Sequence, residues 1–267
     1  MDDVKLPVFL AGFALFFLLE GLMSARPWQD ARGKRLRMHA TVAVVNTVLL
    51  RVVLLAPFLY WTEYVFQQGW GLAPIIGYSG IGGIVATIIV LDMFDYWWHR
   101  FNHRVGLLWR FHKVHHVDTH VDVTTALRFH PGELFISFFV KLVWIALWGP
   151  SVVGFVAFEI AVSLASQFHH SNIDFPDRWE RLLRWVIVTP RFHTSHHTVK
   201  RRTGDANFAT IFIIWDRLFG TYQEPDAEEM KELGLSEGRD DYLSLATWLT
   251  EPLTPRNQNQ ANPERSL

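Results

Sequence analysis

At 267 residues the chain has room for one or two domains, but half of it is apolar, with 12 Trp, 21 Phe and only 19% charged residues. A net charge of −1 makes no case for a nucleic-acid partner. The absence of cysteine removes disulfides, thiolate zinc sites, iron–sulfur clusters and thiol nucleophiles together.

The apolar residues come in long blocks. Residues 7–23 are nearly uncharged, with Glu20 close to the end. An acidic start (Asp2, Asp3) and the following Ser24-Ala25-Arg26-Pro27-Trp28 argue against a cleavable signal peptide. Residues 38–61 are interrupted only by Arg51, and residues 74–91 are uncharged and rich in Gly and Ile. Each block approaches or reaches the roughly 20 residues that cross a bilayer, so segments at about 7–23, 38–60 and 74–96 are expected to span. Residues 134–148 and 152–168 are shorter and meet at Gly149-Pro150, as a hairpin that crosses the membrane or dips into it. Lys141 and Glu159 would lie on the order of 13 Å either side of that turn at matching depth, and are expected to pair. Residues 177–188 place Trp179, Leu182, Leu183 and Val186 on one helical face, which predicts a basic amphipathic helix on the membrane surface, stopped by Pro190. Residues 1–223 read as one membrane-embedded domain. Residues 224–267 read as a polar tail, Pro-, Asn- and Gln-rich from Glu251 and partly disordered.

Arg26, Arg32, Lys34, Arg35 and Arg37 crowd the first inter-block link, while residues 62–73 contain no Lys or Arg. By the positive-inside rule the first link is cytoplasmic and the N-terminus is outside. Glu20 is then expected to snorkel to the cytoplasmic interface, and the depth of Arg51 draws functional suspicion. Trp28, Trp61, Trp70, Trp97, Trp98 and Trp109 sit near block ends as an aromatic belt.

Twelve of the 13 histidines fall between positions 99 and 197. They include His99-Arg-Phe-Asn-His103, His112-Lys-Val-His115-His116 and His193-Thr-Ser-His196-His197. The HxxxH and HxxHH spacings put each cluster on one helical face. The topology puts all three on the cytoplasmic side. Eight clustered imidazoles exceed what one four-coordinate ion uses, so the sequence asks for two metal ions. Ligand type does not choose among iron, zinc, copper and nickel. An all-nitrogen shell over two ions suits O2-activating iron, which needs an open position, better than structural zinc, which closes its site with four ligands and usually recruits cysteine. The rival readings are a non-catalytic histidine-rich membrane metal-binding protein, a metal transporter and a bis-histidine haem cytochrome. The last two want ligands deep in the apolar blocks, and no histidine lies there.

Longer motifs surround the clusters. They are Asp95-Tyr-Trp-Trp-His99 through His103, Leu108-Trp-Arg-Phe-His112 through His116, and Thr125-Ala-Leu-Arg-Phe-His130-Pro-Gly-Glu133. They continue with Phe168-His169-His170-Ser171-Asn172, Thr189-Pro-Arg-Phe-His193 through His197, Asn207, and Trp215-Asp-Arg-Leu-Phe-Gly-Thr-Tyr222. From about Glu20 to Tyr222 the chain resembles the fatty acid hydroxylase/sterol desaturase superfamily. The resemblance implies an all-α polytopic membrane bundle with a cytoplasmic histidine-rich cap. It implies two iron ions that use O2 and external electrons to hydroxylate or desaturate a membrane lipid. Zinc can occupy the same sites in purified protein.

By motif, His99, His103, His112, His115, His116, His193, His196 and His197 correspond to metal ligands, and His170 to a ninth. His169 doubles that position, which leaves the ninth ligand open between the two. His130 is open between a metal ligand and a residue that orients a ligand or contacts substrate. Asp95, one turn before His99, is open between accepting a ligand N–H and pairing with an arginine. Asn172 and Asn207 are open between partners of ligands and turn residues. His120 is expected in a solvated loop and His39 at the interface. No flavin, haem or iron–sulfur domain is fused, so a separate electron donor of ferredoxin or cytochrome b5 type, with its reductase, is implied. The compact chain suits a bacterial inner membrane, with the endoplasmic reticulum as the alternative.

Overall fold

A computed structural model describes residues 2–28, 32–236 and 242–254. The described residues are helical, with no strand and only three isolated β-bridges. The long helices are α1 (Asp2–Leu22), α2 (Arg32–Gln67), and, after the single turn α3 (Leu72–Ile75), α4 (Gly80–Arg104). Next come α5 (Gly106–His116), a 3-10 turn at Val123–Leu127, α6 (Pro131–Trp148) and α7 (Val152–His170). The short helices α8 (Asp177–Leu183), α9 (Pro190–His196), α10 (Arg201–Gly204), α11 (Ile214–Leu218) and α12 (Leu245–Thr250) follow.

Four helices are long and apolar enough to cross a membrane: Val4–Leu22 of α1, α4, α6 and α7. They pack α4 on α7, α1 on α7 and α4 on α6, with the 36-residue α2 laid along α6. Their outward faces leave Leu10, Leu18, Val85, Phe139, Val143 and Leu147 exposed, an apolar band that water would penalise and lipid would solvate. Inside, Phe58, Leu91, Ile145, Trp148, Phe155 and Phe158 form the bundle core. A second cluster of Tyr96, Phe192, Phe208, Ile213 and Trp215 lies beneath the cap.

The hairpin forms as the sequence predicts. His130 caps α6 by accepting from Gly132 N, Pro131 occupies its first turn, and Gly149 ends it in the left-handed region at φ 74°. Side chains are excluded at Gly149, where a Cβ would overlap the Trp70 carbonyl oxygen. Lys141 Nζ meets Glu159 Oε1 at 2.9 Å, and Lys5 approaches the other carboxylate oxygen at 3.4 Å.

Several expectations are corrected. The 74–96 segment is broken by a turn at Gly77 (φ 74°), and its long helix runs from Gly80 through both His99 and His103. The amphipathic helix stops at Leu183, because Val188 N donates to Ile211 O and Ile187 bridges Phe212. Pro190 opens α9 rather than closing the helix before it. Glu20 does not snorkel. It is fully buried and accepts from Val123 N and Asn172 N, both at 3.0 Å, because two cap loops bring in backbone donors that must be satisfied. His39 is buried with Nδ1 2.7 Å from Thr124 Oγ1, and His120 is buried against Trp28. The side chain of Arg51 and residues 255–267 lie outside the described residues. Within the expected tail, Glu251–Leu253 form a 3-10 turn that buries Glu251 and Pro252, and Glu251 pairs with Lys113 at 3.1 Å.

Candidate metal centre

The Nε2 atoms of nine histidines converge in two adjoining groups. His99, His103, His112, His116 and His196 form one, and His115, His170, His193 and His197 the other, with candidate ligand atoms inside each within 4.8 Å of one another. In the first group the Nε2–Nε2 separations are 3.0 Å for His99–His196, 3.1 Å for His103–His116 and 3.2 Å for His112–His116. In the second they are 3.0 Å for His115–His170 and His170–His193, and 3.2 Å for His193–His197. The rings of His116 and His197 stack at 4.4 Å, so the groups share a wall.

These contacts fit a bound cation better than hydrogen bonds. His99 Nδ1 donates to Phe208 O at 2.8 Å and His196 Nδ1 donates to Ala206 O at 2.6 Å, which leaves each Nε2 as a lone pair. Two lone pairs 3.0 Å apart repel unless a positive charge lies between them. Ligands about 2.1 Å from one ion and roughly 90–100° apart have this spacing. Burial, followed by the neighbouring imidazoles, pushes His115, His116, His193, His196 and His197 well below the ordinary imidazole value, so the rings are neutral and able to ligate.

The cap is built to aim these rings. His112 Nδ1 lies 2.9 Å from Glu133 Oε1, and His170 Nδ1 donates to Ser166 O at 2.7 Å. The loop carrying the Phe208 carbonyl is clamped by Asp216, which accepts from Phe208 N and Ala209 N. Asp92 clamps the next stretch through Ile211 N, Phe212 N and the Trp215 indole. Arg35 joins Asp118 and Asp122 in a fully buried ion cluster that locks α2 to the segment after His116. Burial opposes ionisation there, but the Arg35 guanidinium holds both carboxyls below the usual range. Sequence reasoning missed Glu133 as a ligand partner, although it stands in the quoted His130-Pro-Gly-Glu133 run. It also missed Asp92, Asp118 and Asp122. The signal was acidic residues in otherwise apolar or histidine-rich stretches, which rarely bury without a partner.

The doubled histidine resolves geometrically. His170 enters the four-ring group, whereas His169 turns its Nδ1 to Thr210 O at 3.1 Å and packs on His193 from outside. His130 is a helix cap whose Nε2 meets Leu249 O, outside both groups. Asn172 binds the Arg26 backbone on both sides, and Asn207 sits at φ 61° bonded to Ser195 Oγ and Gln223. Neither bonds a clustered histidine. Asp95 makes no hydrogen bond to His99, whose Nδ1 is taken by Phe208 O, and no ion pair with an arginine among the described residues.

A cavity of about 260 Å³ lies among α4, α6 and α7 with His99, His112, His115, His170 and His193 in its wall. Phe129 stacks on His115 at 4.6 Å and shields that side.

The model of the family described as fatty acid hydroxylase matches residues 84–221, just over half the chain, so the chain belongs to the fatty acid hydroxylase family. Among similar proteins, the alkylglycerol monooxygenase of Danio rerio is 31% identical over 185 residues, 68% of this chain and 38% of that protein. The ornithine lipid hydroxylase OlsE of Rhizobium tropici is 23% identical over 86% of this chain and 70% of its own length. The human lathosterol oxidase is 28% identical over 55% of this chain and 47% of its own length. The chain thus spans well under half of the alkylglycerol monooxygenases it matches, with 38%, 31% and 37% covered in three vertebrate examples. No solved structure matches.

Proposed function

We propose that the chain is an O2-dependent lipid oxygenase whose nine histidines hold two iron ions. His99, His103, His112, His116 and His196 would hold one, and His115, His170, His193 and His197 the other. One observation carries this reading: two adjoining all-imidazole groups with converging lone pairs form a wall of a cavity between membrane-long helices. Iron held there would supply O2 reduction and oxidation of a substrate C–H bond.

The protein's own part is positioning and exclusion. Backbone carbonyls fix the tautomers of His99, His170 and His196, and Glu133 that of His112, so these four Nε2 atoms are presented without reorganisation. Phe129, Phe208 and the packed cap keep bulk water from the rings. The lipid reaches the cavity from the bilayer. Hydroxylation balances as C–H plus O2, two electrons and two protons giving C–OH and water. Desaturation consumes the same O2, electrons and protons and releases two waters. The two electrons come from a separate protein of ferredoxin or cytochrome b5 type with its reductase. The basic residues Arg32, Lys34, Arg35 and Arg37 stand at the same end of the bundle as the histidines, which supports a cytoplasmic site in a bacterial inner membrane.

Metal content with oxygen uptake tests the proposal. Iron-reconstituted protein should hold about two irons per chain and consume O2 on addition of reductant, electron-transfer protein and lipid extract, with oxidised lipid detected by mass. Two bound metals without lipid-dependent O2 consumption would favour the non-catalytic metal-binding alternative.

A further inference from the structure

The two histidine groups are not backed alike. In the five-ring group three rings have a proton held on Nδ1 by an acceptor: His99 by Phe208 O, His196 by Ala206 O and His112 by Glu133. Their Nε2 atoms are therefore lone pairs from the outset. Those of His99 and His196 stand 3.0 Å apart, and a cation relieves their repulsion. This group is set for a metal in advance.

The four-ring group is built otherwise. His170 is backed through Ser166 O. The Nδ1 atoms of His115, His193 and His197 are buried and meet no hydrogen-bond partner among the described residues. Asp118 and Asp122, the carboxylates of the neighbouring cap segment, are committed to Arg35. A neutral ring that gives Nε2 to a metal carries its proton on Nδ1, so each of these three would then bury an N–H without an acceptor, which is unfavourable. With the proton on Nε2 instead, His193 donates to the bare Nε2 of His170 at 3.0 Å. Holding a metal thus asks this group to give up a hydrogen bond and to shift a proton, a demand that His99 and His196 do not face. Partners of this kind are worth roughly 10–100-fold each in metal affinity. Three of five rings have one in the first group, against one of four in the second.

We propose that the two sites are unequal. His99, His103, His112, His116 and His196 take up the first ion and keep it, whereas His115, His170, His193 and His197 take up the second more weakly and release it first. The chain then passes through a one-ion form when metal is scarce, and occupancy of the four-ring group sets how much of it is complete. The inference rests on the two-metal reading above, not on any oxygen chemistry.

The test equilibrates iron-loaded full-length protein in detergent, under nitrogen, with increasing amounts of a chromophoric ferrous chelator. Colour reads the iron removed and elemental analysis the iron retained. Two steps are expected, with a plateau near one ion per chain and dissociation constants at least about tenfold apart. Glu133→Gln, at a side chain that bonds His112 alone among the described residues, should raise the smaller constant by about tenfold and leave the larger within about twofold. His197→Ala should abolish the weaker site and spare the tighter. Equal constants in the unaltered protein would overturn the proposal, as would a Glu133→Gln effect confined to the weaker site. If His197→Ala does not fold, the unaltered protein and Glu133→Gln decide. Saturation at one ion would remove the two-metal reading and this inference with it. Two unequally held ions without lipid oxidation would sink the oxygenase reading alone.

Discussion

His112 and Glu133, 21 positions apart, meet with Nδ1 2.9 Å from Oε1 inside the cap. Glu133 stands in the first turn of α6, started by the His130 cap and Pro131, so the start of that helix sets the angle of the His112 ring on α5. A carboxylate on the far nitrogen fixes the tautomer and strengthens the near nitrogen as a donor to metal.

Replacing Glu133 should therefore weaken metal binding without removing a ligand. Glu133→Gln keeps an acceptor for the Nδ1 proton and is expected to lower metal affinity by about tenfold. Glu133→Ala should approach 100-fold, within the roughly 10–100-fold range for such partners. Competition with a chromophoric chelator measures both.

The two adjacent histidines should separate cleanly. His170→Ala removes a ring from the four-membered group and should bring bound metal from about two ions per chain towards one. His169→Ala should leave the count unchanged, because His169 lies outside that group. Elemental analysis of the purified variants reads the difference, and the opposite pattern would reassign the ninth ligand.

Arg35 is the one cation hydrogen-bonded to two fully buried carboxylates among the described residues, and Arg35→Met would leave Asp118 and Asp122 uncompensated. A loss of about 3–5 kcal/mol is expected. Arg35→Lys should recover only part of it, since an ammonium cannot reproduce the bidentate contact to Asp118 at 2.8 Å on both arms. Thermal unfolding in detergent, compared at equal metal loading, checks the order.

The membrane-depth pair makes a fourth prediction. Lys141→Met leaves Glu159 with only the longer Lys5 contact at 3.4 Å and should destabilise by on the order of 3 kcal/mol. The double change Lys141→Met with Glu159→Leu removes both charges and should restore much of that loss. A double-mutant cycle on unfolding midpoints gives the coupling directly.

Much was legible before any fold. The spacing of His99 with His103, of His112 with His115 and His116, and of His193 with His196 and His197 placed eight rings on helix faces, and all eight lie in the two groups. Lys141 and Glu159 could be paired from their equal distance to Gly149-Pro150. What failed was the assignment of buried polar residues. Glu20, His39 and His120 read as interfacial or solvated, yet all three are buried, because each is held by a partner distant in sequence or packed against one. The length of the amphipathic helix failed for a related reason: a cross-chain bond from Val188 to Ile211 outcompeted the next helical turn.

By itself the sequence determined the apolar helix near the start of the chain, the helical hairpin with its turn between α6 and α7, and which rings would be available. Local periodicity and composition settle these, because they depend on residues three or four apart or on a run of apolar side chains. Only the tertiary structure decided how the rings divide into groups of five and four, that His170 and not His169 enters, and that Glu133 backs His112. Those outcomes depend on helices packed against one another at ångström distances. A partial rotation of α4, α5 or α7 about its own axis would redirect the imidazoles it carries while leaving each helix, and each motif, unchanged.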